Sequence, residues 1–288
     1  MTAIPPVRRR LLGAALRRYR ENLGFGLDEA ARILDCDRSK ISRIETGQRG
    51  ISAKELRELL TEYGVPDGEQ AGLLAVAHRG RQHGWWQGYR DVLSETGQDY
   101  VIMEAAASEI CVYDVHQVPD LLQTPDYARA VADADPGFNA DESRVQAVEV
   151  KMARQRGVLD KPARRLEFVV GEAALHQWVG GPQVMRPQLA RLSALADGTA
   201  SAAAPGLSLQ VLPFTAGANV AGGSGPMTIL RFANPPGIGV IHLPALCGGV
   251  SLEGREDVAR YVRAFAHLRT AALTPAASAR LLRAMARD

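Results

Sequence analysis

Hydrophobic positions in the first quarter of the chain recur at intervals of three and four, and glycine or proline closes each run. Leu11, Leu12, Ala15, Leu16 and Tyr19 share one face of a helix whose opposite face is rich in arginine. Gly24-Phe25-Gly26 ends that helix. A short, alanine-rich helix over 27–34 follows, with Asp28 and Glu29 in its first turn, where the helix dipole favours acids. Asp35-Cys36-Asp37 reads as a tight turn, and Asp37 can cap a helix over 38–46 that stops at Gly47. The next helix, over 52–63, opens on the capping box Ser52-Ala53-Lys54-Glu55 and closes at Gly64-Val65-Pro66. A further short helix covers 67–80.

The texture changes at His83-Gly84-Trp85-Trp86-Gln87-Gly88-Tyr89, which is aromatic and glycine-rich. Helical spacing returns over 99–115, 125–134 and 141–159. Residues 165–170 read as a strand, 172–178 and 184–195 as helices. The segments 207–212, 227–232 and 239–243 alternate or run apolar between Gly/Pro turns, the mark of strands. Helices over 255–272 and 275–287 finish the chain. The expected architecture is an all-α N-terminal domain followed by an α+β C-terminal domain, a small sheet flanked by helices. The boundaries fall at 1–66 for the first domain, 67–84 for a helical linker and 85–288 for the second.

Composition narrows the classes. A length of 288 residues suits two domains, and 46% hydrophobic with 23% charged residues excludes a wholly disordered chain. No stretch approaches the roughly 20 apolar residues of a membrane span. The basic start, MTAIPPVRRRLLG, lacks the apolar run of a secretion signal, so a cytoplasmic, nucleoid-associated protein is expected, with no membrane partner. Cys36, Cys111 and Cys247 are too dispersed for a disulfide framework or a zinc site and read as free thiols. Net charge is +2, but residues 1–64 hold 13 Lys and Arg against 9 Asp and Glu, leaving 21 against 23 beyond them. Positive charge at the N-terminus favours a polyanion partner there.

The segment 27–47 gives that partner a form. Two short helices meet across a turn, with Ala30, Ile33, Ile41 and Ile44 placed to lock them and small Ala30 and Ala31 where backbones approach. That is a helix-turn-helix, whose second helix enters the major groove of double-stranded DNA. The ending Ile41-Ser42-Arg43-Ile44-Glu45-Thr46-Gly47 and the five-helix layout resemble the phage-repressor-like (XRE, or Cro/repressor) family. The resemblance implies that Arg38, Ser39 and Arg43 read bases, Arg through bidentate bonds to guanine. It implies that Lys40, Gln48 and Arg49 grip phosphates, and that Arg20 and Glu45 form a structural salt bridge between the first and third helices. Leu27 departs from the family's usual glutamine and cannot hydrogen-bond. Arg8, Arg9, Arg10, Arg17 and Arg18 fit a phosphate role or a solvated face equally well, and Cys36 fits a packed small residue better than a redox centre.

Farther along, Trp85-Trp86, Tyr100-Val-Ile-Met-Glu104, Val118-Pro-Asp-Leu-Leu-Gln-Thr124, Arg154-Gln155, Gly181-Pro182, Val211-Leu-Pro-Phe214 and Gly225-Pro226 succeed one another. In that order they resemble the C-terminal domain of actinobacterial regulators of the DUF5753, antitoxin-like type. The resemblance implies a transcriptional regulator with a small DUF397-type partner protein. His242-Leu243-Pro244-Ala245 stands where relatives often carry an acid. Trp85, Trp86 and Tyr89 read as core packing or as a candidate ligand or partner surface. Thr124 can cap the helix begun by Pro125. Glu172 and His176 lie four apart, which fits a surface pair better than a metal site. No HExxH, GxSxG or carboxylate pair marks an enzyme, and no cofactor or metal is called for. The sequence thus points to a DNA-binding regulator, a homodimer because one helix-turn-helix reads few bases. Its C-terminal domain binds a partner protein or, alternatively, a small-molecule effector; an enzyme with a DNA-binding appendage is the remote reading.

Overall fold

A computed structural model describes residues 7–78, 85–89, 92–137, 140–160, 164–199, 206–219, 225–233, 239–245 and 249–287. The alanine loop at 200–204, Cys247 and the glycines at 222 and 223 lie outside the described residues.

Five helices form the N-terminal unit: α1 (Val7–Asn22), α2 (Leu27–Ile33), α3 (Arg38–Glu45), α4 (Ala53–Glu62) and α5 (Asp67–His78). Their ends are set locally. Ser52 accepts a bond from the Glu55 amide while Glu55 reaches back to the Ser52 amide, which starts α4. After α1, the Gly24 amide donates to Glu21 O and the Phe25 amide to Arg20 O, the pair of hydrogen bonds that closes a helix on a left-handed glycine. Asp37 stands at the start of α3 in extended backbone, but its side chain makes no capping bond.

Leu12, Ala15, Leu16, Ala30, Ile41, Ile44, Leu56, Leu59 and Leu60 bury one core, and Leu73 of α5 is buried in it. The Tyr19 hydroxyl also bonds Glu69 of α5. The core of the N-terminal unit therefore extends into the segment that the sequence suggests as a linker.

The second unit is a three-layer α+β arrangement. Its sheet runs β3-β2-β1-β4-β5-β6, built from β1 (Glu109–Asp114), β2 (Arg165–Gly171), β3 (Leu207–Leu212), β4 (Met227–Arg231), β5 (Gly239–Leu243) and β6 (Val250–Leu252). The first three strands are parallel and the last three antiparallel. Helix α6 (Glu95–Ala106) precedes β1, α7 (Pro125–Ala134) and α8 (Asp141–Leu159) lie between β1 and β2, and α9 (Glu172–His176) and α10 (Pro182–Ala196) lie between β2 and β3. The chain ends in α11 (Arg255–Ala271) and α12 (Pro275–Met285).

Alternate residues of each strand serve opposite cores. Ile110, Leu166, Phe168, Leu209 and Leu230 face α10 and α12, whereas Cys111, Tyr113, Val169, Ile229 and Ile241 face α11. The sequence suggests a helix over 99–115; instead α6 stops at Ala106 and Glu109–Asp114 is the middle strand β1. Ile110, Val112 and Tyr113 are β-branched or aromatic, and β2 and β4 pair with them on both sides. Strand β6 is a three-residue edge that no sequence pattern announced. The helix suggested over 172–178 ends at His176, so Trp178 stands in the turn beyond it.

The two units meet along α1. Leu11 turns away from the helical core and is buried in the main core of the second unit, where α1 meets α6.

Candidate nucleic-acid interface

Two helices and a turn carry the site. After α2, the Asp35 amide bonds Arg32 O and the Cys36 amide bonds Ala31 O, with Asp35 in a left-handed conformation (φ 45°). Aspartate is among the few side chains that tolerate that backbone. The Cys36 thiol packs against the helical core, and burial pushes its pKa up, away from the thiolate that redox chemistry needs.

Helix α3 is seated on its inner face by Ile41, Ile44 and Glu45, all buried. Beneath it, α1 comes so close that a methyl on Gly13 would stand 2.4 Å from the carbonyl oxygens of Ile44 and Glu45. Arg20 of α1 then clamps Glu45, with Nε to Oε1 at 2.6 Å and Nη2 to Oε2 at 2.8 Å. Its remaining nitrogen Nη1 donates to Phe25 O at 2.6 Å. The clamp holds the Arg20 guanidinium further in its charged form against the opposing effect of burial. Glu45 is thereby committed to the fold and offers nothing to DNA.

The outer face of α3 is different. Arg38, Ser39 and Arg43 are exposed, as are Gln48 and Arg49 in the following loop. Arg43 lies back along its own helix, Nε and Nη2 each donating to Ser39 at 3.2 Å, to the carbonyl and hydroxyl oxygens. Among the described residues, no ion pair engages Arg38, Arg43 or Arg49. Lys40 is placed otherwise: its ammonium lies 2.6 Å from Glu55 and joins α3 to α4. Lys40 and the Ser52 cap together hold the Glu55 carboxyl down at about 2. Leu27, where the resemblance leads one to expect glutamine, packs against the helical core instead.

Position also separates the arginines of α1. Arg17 pairs with Glu21 at 2.7 Å, and Arg18 lies over the Tyr19 ring. Arg10 reaches Glu253, while exposed Arg9 approaches Gly50 in the loop that carries Gln48 and Arg49. Arg9 thus joins the exposed basic face, which spacing along α1 alone gave no means of seeing.

The segments of the second unit converge elsewhere, on a largely buried ionic cluster. Arg154 of α8 binds Glu104 through Nε at 2.8 Å and Nη2 at 3.0 Å, and Asp120 at 3.1 Å. Lys151 reaches Asp120 at 3.0 Å, and Tyr100 donates to Glu104 at 3.0 Å. Gln155 donates to the carbonyls of Asp120 and Gln123, both at 2.8 Å. Burial opposes the charge on Asp120, but Lys151 and Arg154 hold its carboxyl below its ordinary value. His242 packs on the Tyr100 ring at 4.4 Å, and burial together with Arg154 pushes its pKa down. Thr124 caps α7 by accepting the Tyr127 amide at 3.3 Å. These residues tie α6, α7 and α8 into one block.

Two metal-like groupings are accounted for by neighbours. Glu109, Cys111 and Glu167 lie close enough to share an ion. Arg231 is 2.9 Å from Glu109, however, and Arg165 and Arg269 are 2.6 and 3.0 Å from Glu167. Their guanidiniums already neutralise the carboxylates, and burial pushes the Cys111 thiol up, so the set does not suit a divalent cation. His176 and Glu172 form a surface pair at 3.5 Å. Trp85, Trp86 and Tyr89 share a short 3-10 turn with edge-to-face rings, and Trp85 packs against Gly157 of α8.

The comparisons with known proteins match both units. A model of the helix-turn-helix domain matches residues 11–73, and the Domain of unknown function (DUF5753) matches residues 98–284, well over half of the chain. The chain belongs to the DUF5753 family. No curated protein and no solved structure gives a significant match. The DUF5753 region holds the whole Arg154 cluster, and the helix-turn-helix match reaches into α5, in line with the burial of Leu73. The protein therefore carries a DNA-binding domain joined to a DUF5753 domain. No helix among the described residues is long and apolar enough to cross a membrane.

Proposed function

We propose that this DUF5753 protein is a cytoplasmic, sequence-specific transcriptional regulator that inserts α3 into the major groove as a homodimer. The observation that carries the reading is the contrast between the two faces of α3. Its inner face is fixed by Gly13, Ile41, Ile44 and the Arg20–Glu45 clamp, while Arg38, Ser39 and Arg43 are exposed on the outer face of that rigid support. A rigid helix with exposed arginines suits bidentate recognition of guanine. Gln48, Arg49 and Arg9 beside it suit phosphate contacts. Lys40 joins α3 to α4 through Glu55 and stands as a further candidate for a phosphate.

Two copies are needed because one helix contacts only a few base pairs; half-sites would lie about 34 Å apart. The DUF5753 domain is the regulatory input in this reading. Its likeness to antitoxin-like regulators supports a small DUF397-type protein as what it receives.

The test is a gel shift on the DNA upstream of the coding sequence, at two salt concentrations, with and without that small protein. The reading predicts a shift confined to specific DNA, weakened by salt and altered by the small protein. Absence of any sequence preference at either salt would contradict DNA recognition. Specific binding indifferent to the small protein would contradict the partner role alone.

A further inference from the structure

Arg43 stands in the last turn of α3, yet its guanidinium is held by Ser39 in the first. Nε donates to the Ser39 carbonyl oxygen and Nη2 to the Ser39 hydroxyl oxygen, both at 3.2 Å. Two bonds from two nitrogens of one planar group fix its orientation as well as its place. Both residues are exposed, on a helix whose opposite face is seated by Ile41, Ile44 and Glu45. The contact therefore carries the charge of Arg43 back toward the N-terminal end of α3. That is the end of a recognition helix that meets base edges.

The donors left over define what the group can bind. A guanidinium has five N–H donors in a fixed fork. Ser39 takes the Nε proton and one proton of Nη2, which leaves both protons of Nη1 and the outer proton of Nη2. One outward donor on each terminal nitrogen is an end-on fork, and it matches O6 and N7 of guanine. Glu45, the carboxylate nearest along the chain, is turned inward onto Arg20 and does not compete for that fork.

An exposed arginine otherwise samples many rotamers, a freedom it loses on binding. A side chain held beforehand in its binding geometry loses less. The family resemblance puts Ser39 among the base readers, but its hydroxyl is engaged with Arg43 along the helix. We propose that Ser39 is a positioning residue for Arg43: it holds the guanidinium over the first turn of α3 with the end-on fork free for guanine. The assignment rests on the regulator reading and gives one base contact of that reading its geometry.

The test is a double-mutant cycle on the full chain, comparing the parent, Ser39→Ala, Arg43→Ala and the double variant. Fluorescence anisotropy measures their affinity for a duplex that the parent selects from random DNA and for a scrambled duplex. Ser39→Ala should weaken the selected duplex roughly three- to tenfold and leave the scrambled one unchanged. In the Arg43→Ala background it should change neither. Alanine is the better helix former, so weakened folding does not account for such a loss. The selected duplex made with 7-deazaguanine, which keeps O6 and lacks N7, should shrink the gap between the parent and Ser39→Ala. Equal losses in the two backgrounds would mean that Ser39 touches DNA itself. That result, an undiminished gap on the 7-deazaguanine duplex, or parental affinity in Ser39→Ala would overturn the proposal and leave the regulator reading standing. A parent that prefers no sequence would overturn that reading, and the proposal with it.

Discussion

Arg10 grips Glu253 across 243 residues of sequence, through Nε at 3.1 and 3.2 Å and Nη2 at 2.5 Å. The same residue lies against Gly47, just beyond the recognition helix: a Cβ on Gly47 would stand 2.9 Å from the Arg10 amide nitrogen. Arg10 therefore touches both the end of α3 and the segment joining β6 to α11. Burial pushes the Glu253 carboxyl up, and Arg10 counters that shift by stabilising its charged form. With Leu11 buried beside it, α1 fastens the helix-turn-helix to the DUF5753 domain.

Glu253→Ala leaves the Arg10 charge without its partner in a mostly buried seam. We expect a loss of about 1–3 kcal/mol of stability, below the value for a fully buried pair because both side chains keep some exposure. Hydrogen exchange should speed up at the start of α1 and not in α8. Unchanged exchange in α1 would show that Leu11 alone holds the seam.

The Arg20–Glu45 clamp is more deeply buried. Arg20→Ala or Glu45→Ala should cost about 3–5 kcal/mol, because each leaves the other charge unpaired. Chemical denaturation of the two single variants and the double variant measures this. The double variant should be less destabilised than the sum of the singles. Additive losses would mean that the two residues act independently.

Gly13 is required by the approach of α1 to α3. Gly13→Ala places a methyl 2.4 Å from two carbonyl oxygens, so the helices must separate. The expected cost is about 1–3 kcal/mol, read by denaturation. An Ala variant as stable as the parent would show that this contact gives way freely.

Acid should loosen the N-terminal unit through Glu55. Its folded pKa is about 2 against an ordinary 4.5, with Lys40 the first cause. The stabilisation is therefore present above about pH 4.5 and is lost as pH falls from there towards 2. Glu55→Gln should flatten that part of the stability curve by about 1–2 kcal/mol, the pair being partly solvated. A curve identical to that of the parent would contradict the pairing of Glu55 with Lys40.

The N-terminal unit was legible because its signals are local. Gly24, Gly47 and Gly64 end helices, and Ser52 with Glu55 begins one within four residues. Strand β1 was not, since Ile110-Cys111-Val112-Tyr113 closely follows a helix that ends in alanines and becomes a strand only through β2 and β4, distant in sequence. Lys40 shows the same limit at the site. Its place on the recognition helix suggests a phosphate, while its ion pair with Glu55, fifteen residues on, shows only in the folded chain. The DUF5753 segments could be put in order along the sequence, yet their meeting at Arg154 depends on how α6, α7 and α8 pack. The exposure of Trp178 was equally hidden, because the helix expected to carry it stops two residues earlier, at His176.

The central claim is that α3 reads DNA sequence through its exposed arginines. The most direct measurement is the fluorescence anisotropy of a duplex carrying the selected site, set against a scrambled duplex, for the parent and Arg43→Ala. Losing one bidentate guanine contact should cost about 1–3 kcal/mol on the selected site while leaving the scrambled duplex nearly unaffected. Equal affinity of parent and variant for the selected site, or an equal loss on both duplexes, would contradict base reading by Arg43.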